Sequence, residues 1–424
     1  MTTRDWLVRA HGALESLLPR GAAGPTLLTD DLTDSGGRPV DVFGHFGLDG
    51  SALHTLVGNC SGLMETVQGR GGGYAIETPA PAWPGFEDVW IPIRDGLQLS
   101  ARLGLAEKDG RIAQADCIIV MPGLSGDHSV KRTRDIVLAL RSFGYHALAL
   151  ELRGHGQTEA RYPDVFYCFG AQEIRDLFAV SAWLKRRPEV RRTGLIGYCW
   201  GANLALLAAW ESDTGDDHPG VPARLRPLLP PKPSGRHFRA GVLAFSPVLR
   251  FEELFERTRT PWAFIDHPPY SELQDSIRDR MIRKGHPAPS GDLLDLIQWE
   301  FSHTRLDYAG AVDDALDYIR ILPFHGKPAH DKLERVRMPV LIVHAANDPF
   351  APAQELADYM ATLENPSVAG MILPGGGHVG FAPYARDHFF SLLLNFFDPQ
   401  NGAAATCSAR GGREPTAARE TAGR

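Results

Sequence analysis

The pentapeptide Gly197-Tyr198-Cys199-Trp200-Gly201 holds the side chain best placed for covalent chemistry. It follows RRTGLIGY (191–198), an apolar run suited to a buried strand, and precedes ANLALLAAW (202–210), which reads as a helix. A nucleophile flanked by glycines between a strand and a helix sits on a sharp turn that lifts it above the sheet edge. Gly197 and Gly201 leave room where side chains would collide with such a turn. The helix that follows aims its positive end at the nucleophile. Here that nucleophile is a thiol, and a helix N-terminus with a nearby protonated histidine favours the thiolate. The plainer alternative is a structural cysteine in a fortuitous pentapeptide.

An elbow of this kind calls for an acid and then a histidine further along the chain. Asp348 lies in HAANDPFAP, just past the end of one apolar run, and His378 lies in LPGGGHVGF, just past the end of the next. Asp348 would orient and stabilise the imidazole, and His378 would exchange a proton with Cys199 or the leaving group. Asp348 can also be read as a turn former before Pro349, and Glu252, Glu253 and Asp266 are lesser competitors for the acid. An oxyanion hole is needed as well. Its expected donors are the backbone N–H groups of Trp200 and Leu124, the latter in the loop PGLSG, where Gly123 permits close approach. Of the other histidines, His128 reads as a solvated loop residue, His155 as a turn residue and His344 as a core residue. Lys131, Arg132 and Arg134 read as an exposed helix face, with an anionic group on a substrate as the alternative.

These residues need a scaffold. DVWIPI and LQLSARLGL alternate like strands around the hairpin signal Asp95-Gly96. Continuous apolar runs follow at 117–121, 145–152, 191–198, 239–248, 338–345 and 367–374, separated by helical stretches at 130–143, 202–210 and, after the last run, 388–397. Buried strands alternating with helices predict an α/β class with a mostly parallel central sheet covered on both faces. Residues 211–237 read as a polar, Pro-rich surface excursion. Residues 250–337 are too long for a loop, and the periodicity of DLLDLIQWEF and DDALDYIRIL predicts a helical cap. Its ten aromatics, from Phe251 to Phe324, are assigned mostly to the cap's own packing.

Residues 1–87 form an N-terminal extension, with an amphipathic helix at 4–19 and a Gly-rich connector that includes Gly69 to Gly73. That run lacks the Lys-Ser/Thr pair of a phosphate loop. Three roles are open to this extension: covering the body, extending the cap or mediating dimerisation. Residues 399–424 have almost nothing to bury and are expected to be disordered.

Composition narrows the function. Of 424 residues, 43% are hydrophobic and the net charge is −7, which disfavours nucleic acid as a partner. There is no run of 18 apolar residues, so no membrane span is expected. Five sparse cysteines match neither a zinc pair nor a disulfide framework. With no apolar signal segment at the N-terminus, the chain reads as a soluble cytoplasmic protein with reduced thiols. No metal site is visible and the Cys-His-Asp set needs no cofactor. Oligomeric state cannot be read.

Taken together, MPGLSGDH, RDLFAVSAWLKRRPEV, GYCWGANLALLAAW, DYIRILP, HAANDPFAP and PGGGHVGF are similar to stretches of α/β-hydrolases. Within that superfamily the chain resembles the YheT and embryogenesis-associated-protein-like branch. The resemblance covers residues 88–398 and implies an α/β-hydrolase domain there, with a cap insertion at about 250–337. It also implies a carboxylic-ester hydrolase. That branch carries serine at the elbow, whereas this chain has Cys199. A G-Y-C-W-G elbow is similar instead to that of dienelactone hydrolases, smaller proteins that use Cys-Asp-His on the same fold. Attack by Cys199 on a small acyl substrate would give a thioester acyl-enzyme. Three readings stand: hydrolysis of an ester, lactone or thioester; acyl transfer by the same residues; and a non-catalytic ligand-binding protein on a hydrolase fold.

Overall fold

The computed structural model describes residues 1–22, 24–28, 83–124, 126–128, 130–214, 221–229, 231–251, 254, 270–304 and 331–398. The Gly-rich run, DDALDYIRIL, Glu252, Glu253, Asp266 and the tail from 399 lie outside these residues. The chain begins with helix α1 (Thr3–Glu15), capped reciprocally by Thr2 and Asp5, and strand β1 (Thr26–Leu28). The hairpin β2 (Glu87–Pro92) and β3 (Gln98–Gly104) follows, then a two-stranded ribbon, β4 (Glu107–Lys108) and β5 (Arg111–Ile112). Next come β6 (Ala115–Met121), α2 (Lys131–Ser142), β7 (His146–Leu150), α3 (Gly156–Arg161) and α4 (Glu173–Lys185). They lead into β8 (Val190–Tyr198), α5 (Trp200–Asp213) and β9 (Gly241–Phe245). The insertion holds α6 (Tyr270–Arg283) and α7 (Leu293–Ser302). The chain closes with β10 (Val340–Ala345), α8 (Ala353–Met360), β11 (Val368–Leu373), α9 (Phe381–Tyr384) and α10 (Arg386–Phe396).

Nine strands form one sheet in the order β1-β11-β10-β9-β8-β6-β7-β3-β2. The six runs read as buried strands are its parallel core, β11 to β7 in that order. Their continuous apolar character follows from burial on both faces. In β6, Cys117, Ile119 and Met121 enter one core, while Ile118 and Val120 enter the other. The first core is covered by α4, α5 and α8 and reaches the cap; the second is covered by α1, α2 and α10. At the hairpin, Asp95 (φ 59°) and Gly96 (φ 72°) both take positive φ, as a two-residue turn between twisted strands requires.

The described part of residues 1–87 joins this body. β1 adds an antiparallel edge strand to β11. In α1, Arg4 is buried and donates from Nε to the Val368 carbonyl at 2.9 Å, and Thr3 donates to that of Ser367 at 2.6 Å. The 211–237 excursion is not purely superficial: Val221, Leu225 and His237 are buried. No helix among the described residues is long and apolar enough to cross a membrane.

The described cap is helical, as expected, and Asp292 caps α7 by accepting the Leu294 N–H. It docks through a buried ion pair. Arg280 on α6 donates to both carboxylate oxygens of Glu300 on α7 and to the Gly154 carbonyl. Glu300 in turn accepts the Tyr167 N–H at 2.7 Å. Removing one partner of such a pair strands a buried charge, which costs roughly 3–5 kcal/mol. Arg280→Ala is therefore expected to lower the urea midpoint clearly, while the double variant Arg280→Met/Glu300→Leu recovers only part of the loss, because the Gly154 carbonyl and the Tyr167 N–H then lose their partners. A double variant no more stable than Arg280→Ala would show that the charge pair is not what holds the cap.

Candidate active site

Cys199 is the residue between β8 and α5, with φ 54° and ψ −122°. An L-residue with a side chain resists this conformation, so the surroundings must hold it. Its N–H donates to the Phe245 carbonyl at 2.9 Å, and its carbonyl accepts the N–H of Ala202. The flanking glycines are where contact is tightest. A Cβ on Gly197 would lie 2.1 Å from the Gly201 carbonyl oxygen, and one on Gly201 would lie 2.2 Å from that of Pro122. The elbow is thus pressed onto the loop after β6. There a Cβ on Gly123 would come within 3.2 Å of the Cys199 Cβ.

The loops after β10 and β11 bring Asp348 and His378 to the same edge. Asp348 Oδ1 accepts the N–H groups of Phe350 and Ala351, at 2.9 and 3.0 Å. Its Oδ2 lies 2.8 Å from His378 Nδ1. The Asn347 side chain fixes the histidine loop by accepting the Gly377 N–H. The Phe350 ring stands edge-on to the imidazole at 5.1 Å. Nδ1 is committed to the carboxylate, and the imidazole also hydrogen-bonds the Cys199 thiol, which leaves Nε2 for sulfur.

The electrostatics follow this contact order. Burial alone would push the Cys199 thiol up; the charge and hydrogen bond of His378 and the Trp200 N–H outweigh it and hold the thiol below its ordinary value. Burial alone would push His378 down, but Asp348 and Cys199 hold it well above the usual histidine range. Asp348 is also held low, because His378 overcomes its burial. A thiolate beside an imidazolium is the charge state these shifts favour.

Cys199 and His378 open into a cleft of about 750 Å³, counting its mouth. Leu124 and Trp200, the residues expected to donate from their backbones, line it with them. The Trp200 N–H reaches the thiol, and its indole is tied to the Phe169 carbonyl. The cap contributes Leu254, Leu273 and Leu293 to the walls. The cap aromatics that the structure describes pack elsewhere: Phe251 lies against Trp200, and Phe301 against Phe169.

Three sequence readings change. His155 is not a simple turn residue. It is buried, with Nε2 2.6 Å from the Leu124 carbonyl oxygen and Nδ1 2.6 Å from that of Arg153, so it anchors the loop expected to supply an oxyanion donor. His128 is not solvated. It is 2% exposed and its Nδ1 lies 3.1 Å from Glu151. Burial pushes Glu151 up to about 8 and His128 down to about 4, so at neutral pH their proton sits on the carboxyl. Arg132 does not belong to an exposed face but lines the cleft, while Lys131 is exposed and pairs with Asp135. His344 is a fully buried strand residue, as read, held neutral by burial. Among the residues missed, Leu273 and Leu293 left a signal in their placement on amphipathic helices. Val248, clamped through its backbone by Asn203 at 2.6 and 2.9 Å, left none.

This fold, with an elbow, acid and histidine at the C-terminal edge of its strands, is that of an α/β-hydrolase. A model of the Alpha/beta hydrolase family matches residues 118–390, and the chain belongs to that family. YheT of Escherichia coli (strain K12), whose name provisionally calls it an esterase, is 24% identical over 309 residues, 71% of this chain and 78% of YheT. The embryogenesis-associated protein EMB8 of Picea glauca is 20% identical over 295 residues; the match takes in 66% of this chain and 58% of EMB8. Among solved structures, the esterase Pf2001 of Pyrococcus furiosus aligns with a TM-score of 0.47 and 17% identity, over 75% of this chain and 96% of that one. A likeness at that level carries no argument about chemistry.

Two predictions follow from the geometry. Alkylation of Cys199 by iodoacetamide should rise with pH through an inflection below the ordinary thiol range. In His378→Ala the inflection should move up, because burial then acts unopposed. An inflection unmoved by His378→Ala would show that the two groups do not interact. Gly201→Ala should cost about 2 kcal/mol or more, since the new carbon meets backbone that cannot swing aside. Thermal unfolding indistinguishable from wild type would contradict the close packing of elbow and loop.

Proposed function

We propose that this chain is a carboxylic-ester hydrolase in which Cys199 is the nucleophile, His378 the proton carrier and Asp348 the group that orients it. The observation that carries the reading is the unbroken contact from Asp348 through His378 to the Cys199 thiol at the floor of a cleft. The name of YheT points to the same class of reaction. Ester, lactone and thioester carbonyls are the fitting electrophiles for a soft thiolate.

In the first half-reaction the Cys199 thiolate attacks the carbonyl carbon and the C–O double bond becomes an oxyanion. The backbone N–H groups of Trp200 and Leu124 are the donors proposed to receive it. Collapse re-forms the carbonyl and breaks the bond to the leaving group. That group departs with the proton from His378 Nε2, leaving a thioester on Cys199. In the second half, His378 takes a proton from water and the hydroxide attacks the thioester. Collapse then expels the Cys199 thiolate and releases the acid. Asp348 stays ionised throughout and stabilises the imidazolium. The open mouth of the cleft lets water in, which favours hydrolysis over transfer to another acceptor.

The test uses p-nitrophenyl acetate and butyrate at pH 7 to 8, with product release and intact mass followed together. Wild type should release p-nitrophenol and carry an acyl adduct on Cys199. Cys199→Ala should lose about a thousandfold or more of the turnover and all of the adduct. Turnover that persists in Cys199→Ala would overturn the assignment. An adduct that is discharged by added amines or thiols much faster than by water would make transfer the better description.

A further inference from the structure

The loop after β6 has to be held in place from outside itself. Gly123 and Gly126 flank Leu124, and the press of Gly123 against Cys199 leaves no room for a larger residue there. Glycines give such a stretch more backbone freedom than other residues would. Among the described residues, no backbone hydrogen bond involves Leu124. Its carbonyl is met instead by a side chain 31 residues further along, the imidazole of His155, with Nε2 at 2.6 Å.

His155 has a firm seat of its own. It is buried, its N–H donates to the Leu152 carbonyl at 3.2 Å, and its carbonyl accepts the Glu159 N–H at 2.9 Å at the start of α3. The Tyr167 ring stands edge-on to the imidazole at 4.8 Å, and the adjacent Gly154 carbonyl accepts from Arg280 of the cap at 2.6 Å. The ring lies between two carbonyls, with Nδ1 2.6 Å from that of Arg153. That contact joins residues two apart and is set by the chain. The contact with Leu124 joins separate segments, and it persists only if Nε2 carries a proton for the Leu124 oxygen.

We infer that His155 is a positioning residue for attack on the substrate carbonyl: by donating from Nε2 to the Leu124 carbonyl, it fixes the Leu124 N–H where the oxyanion forms. This rests on the reading of Cys199 as the nucleophile and Leu124 as an oxyanion donor, and it can fail without that reading failing. Such a donor acts only once the carbonyl oxygen gains charge. Both half-reactions pass through an oxyanion, so a displaced donor lowers kcat and leaves KM little changed. Alkylation by iodoacetamide, in which the Cys199 sulfur displaces iodide, forms no oxyanion. It reports on Cys199 and His378 alone.

The test compares His155→Leu, His155→Asn and His155→Gln with wild type. An asparagine amide takes the place of Nδ1 and a glutamine amide that of Nε2, so glutamine alone keeps a donor towards Leu124. Three quantities are read: kcat and KM for p-nitrophenyl acetate, inhibition by butyl trifluoromethyl ketone, and the rate of Cys199 alkylation followed by peptide mass. The thiolate adds to the carbonyl carbon of the ketone and leaves the oxygen as an anion, a stable likeness of the first intermediate. His155→Leu and His155→Asn should lose about thirtyfold in kcat and in ketone affinity, with alkylation within about twofold of wild type. His155→Gln should bring kcat and ketone affinity back to within about threefold of wild type. Equal kcat in wild type and His155→Leu would overturn the inference and leave the esterase reading standing. So would an asparagine variant as active as the glutamine variant, or alkylation that falls in step with turnover, which would make His155 a residue of general packing. If wild type neither cleaves the ester nor binds the ketone while Cys199 is still alkylated, the esterase reading falls and the role of His155 with it.

Discussion

The backbone of Cys199 is held where an L-residue does not rest by itself. Everything else at the sheet edge is arranged around that constraint. Strand β8 delivers the chain, Phe245 on β9 accepts the Cys199 N–H, and α5 starts within one residue. The turn closes because nothing larger than hydrogen stands at Gly197 and Gly201. The same closeness places the elbow against Pro122 and Gly123, so strand ends that are neighbours in the sheet become neighbours in the site. Strain at Cys199 is sustained by contacts on three strands, and a local rearrangement cannot relieve it without disturbing all three.

A second layer sets the charges. Asp348 is tied down by two backbone N–H groups before it meets His378, so the imidazole is oriented by a carboxylate that is itself oriented. The thiol receives its stabilisation in the same direction, from the imidazole and from the Trp200 N–H. Behind the oxyanion side, His155 ties down the Leu124 and Arg153 carbonyls in a region with little access to water, and His128 lies beside Glu151.

Much of this was legible in the sequence. The six buried strands declare themselves as continuous apolar runs, because a parallel strand covered on both faces cannot tolerate alternation. Cys199, Asp348 and His378 could be found because each directly follows such a run. What stayed hidden depends on partners distant in the chain. RGHG looks like a turn until Tyr167 and the Leu124 carbonyl close over His155. His128 looks solvated until Glu151, Trp83 and the end of β7 surround it. Arg132 sits in the first turn of α2, where spacing alone does not say which of three basic residues turns inward. β1 is three residues long and gives no periodicity to read; β11 supplies the reason for it.

The docking of the cap has a bearing on how the protein could be altered. Arg280 and Glu300 grip Gly154 and the Tyr167 N–H, and the Tyr167 ring rests edge-on against His155, which holds the Leu124 carbonyl. The insertion is therefore not an interchangeable module. A foreign cap grafted between β9 and β10 would have to bring equivalents of Arg280 and Glu300. Without them, the seat of segment 154–167 would be lost, and with it the anchor of the loop that faces Cys199. Transplanting substrate range by exchanging caps would have to carry that segment along as part of the same piece.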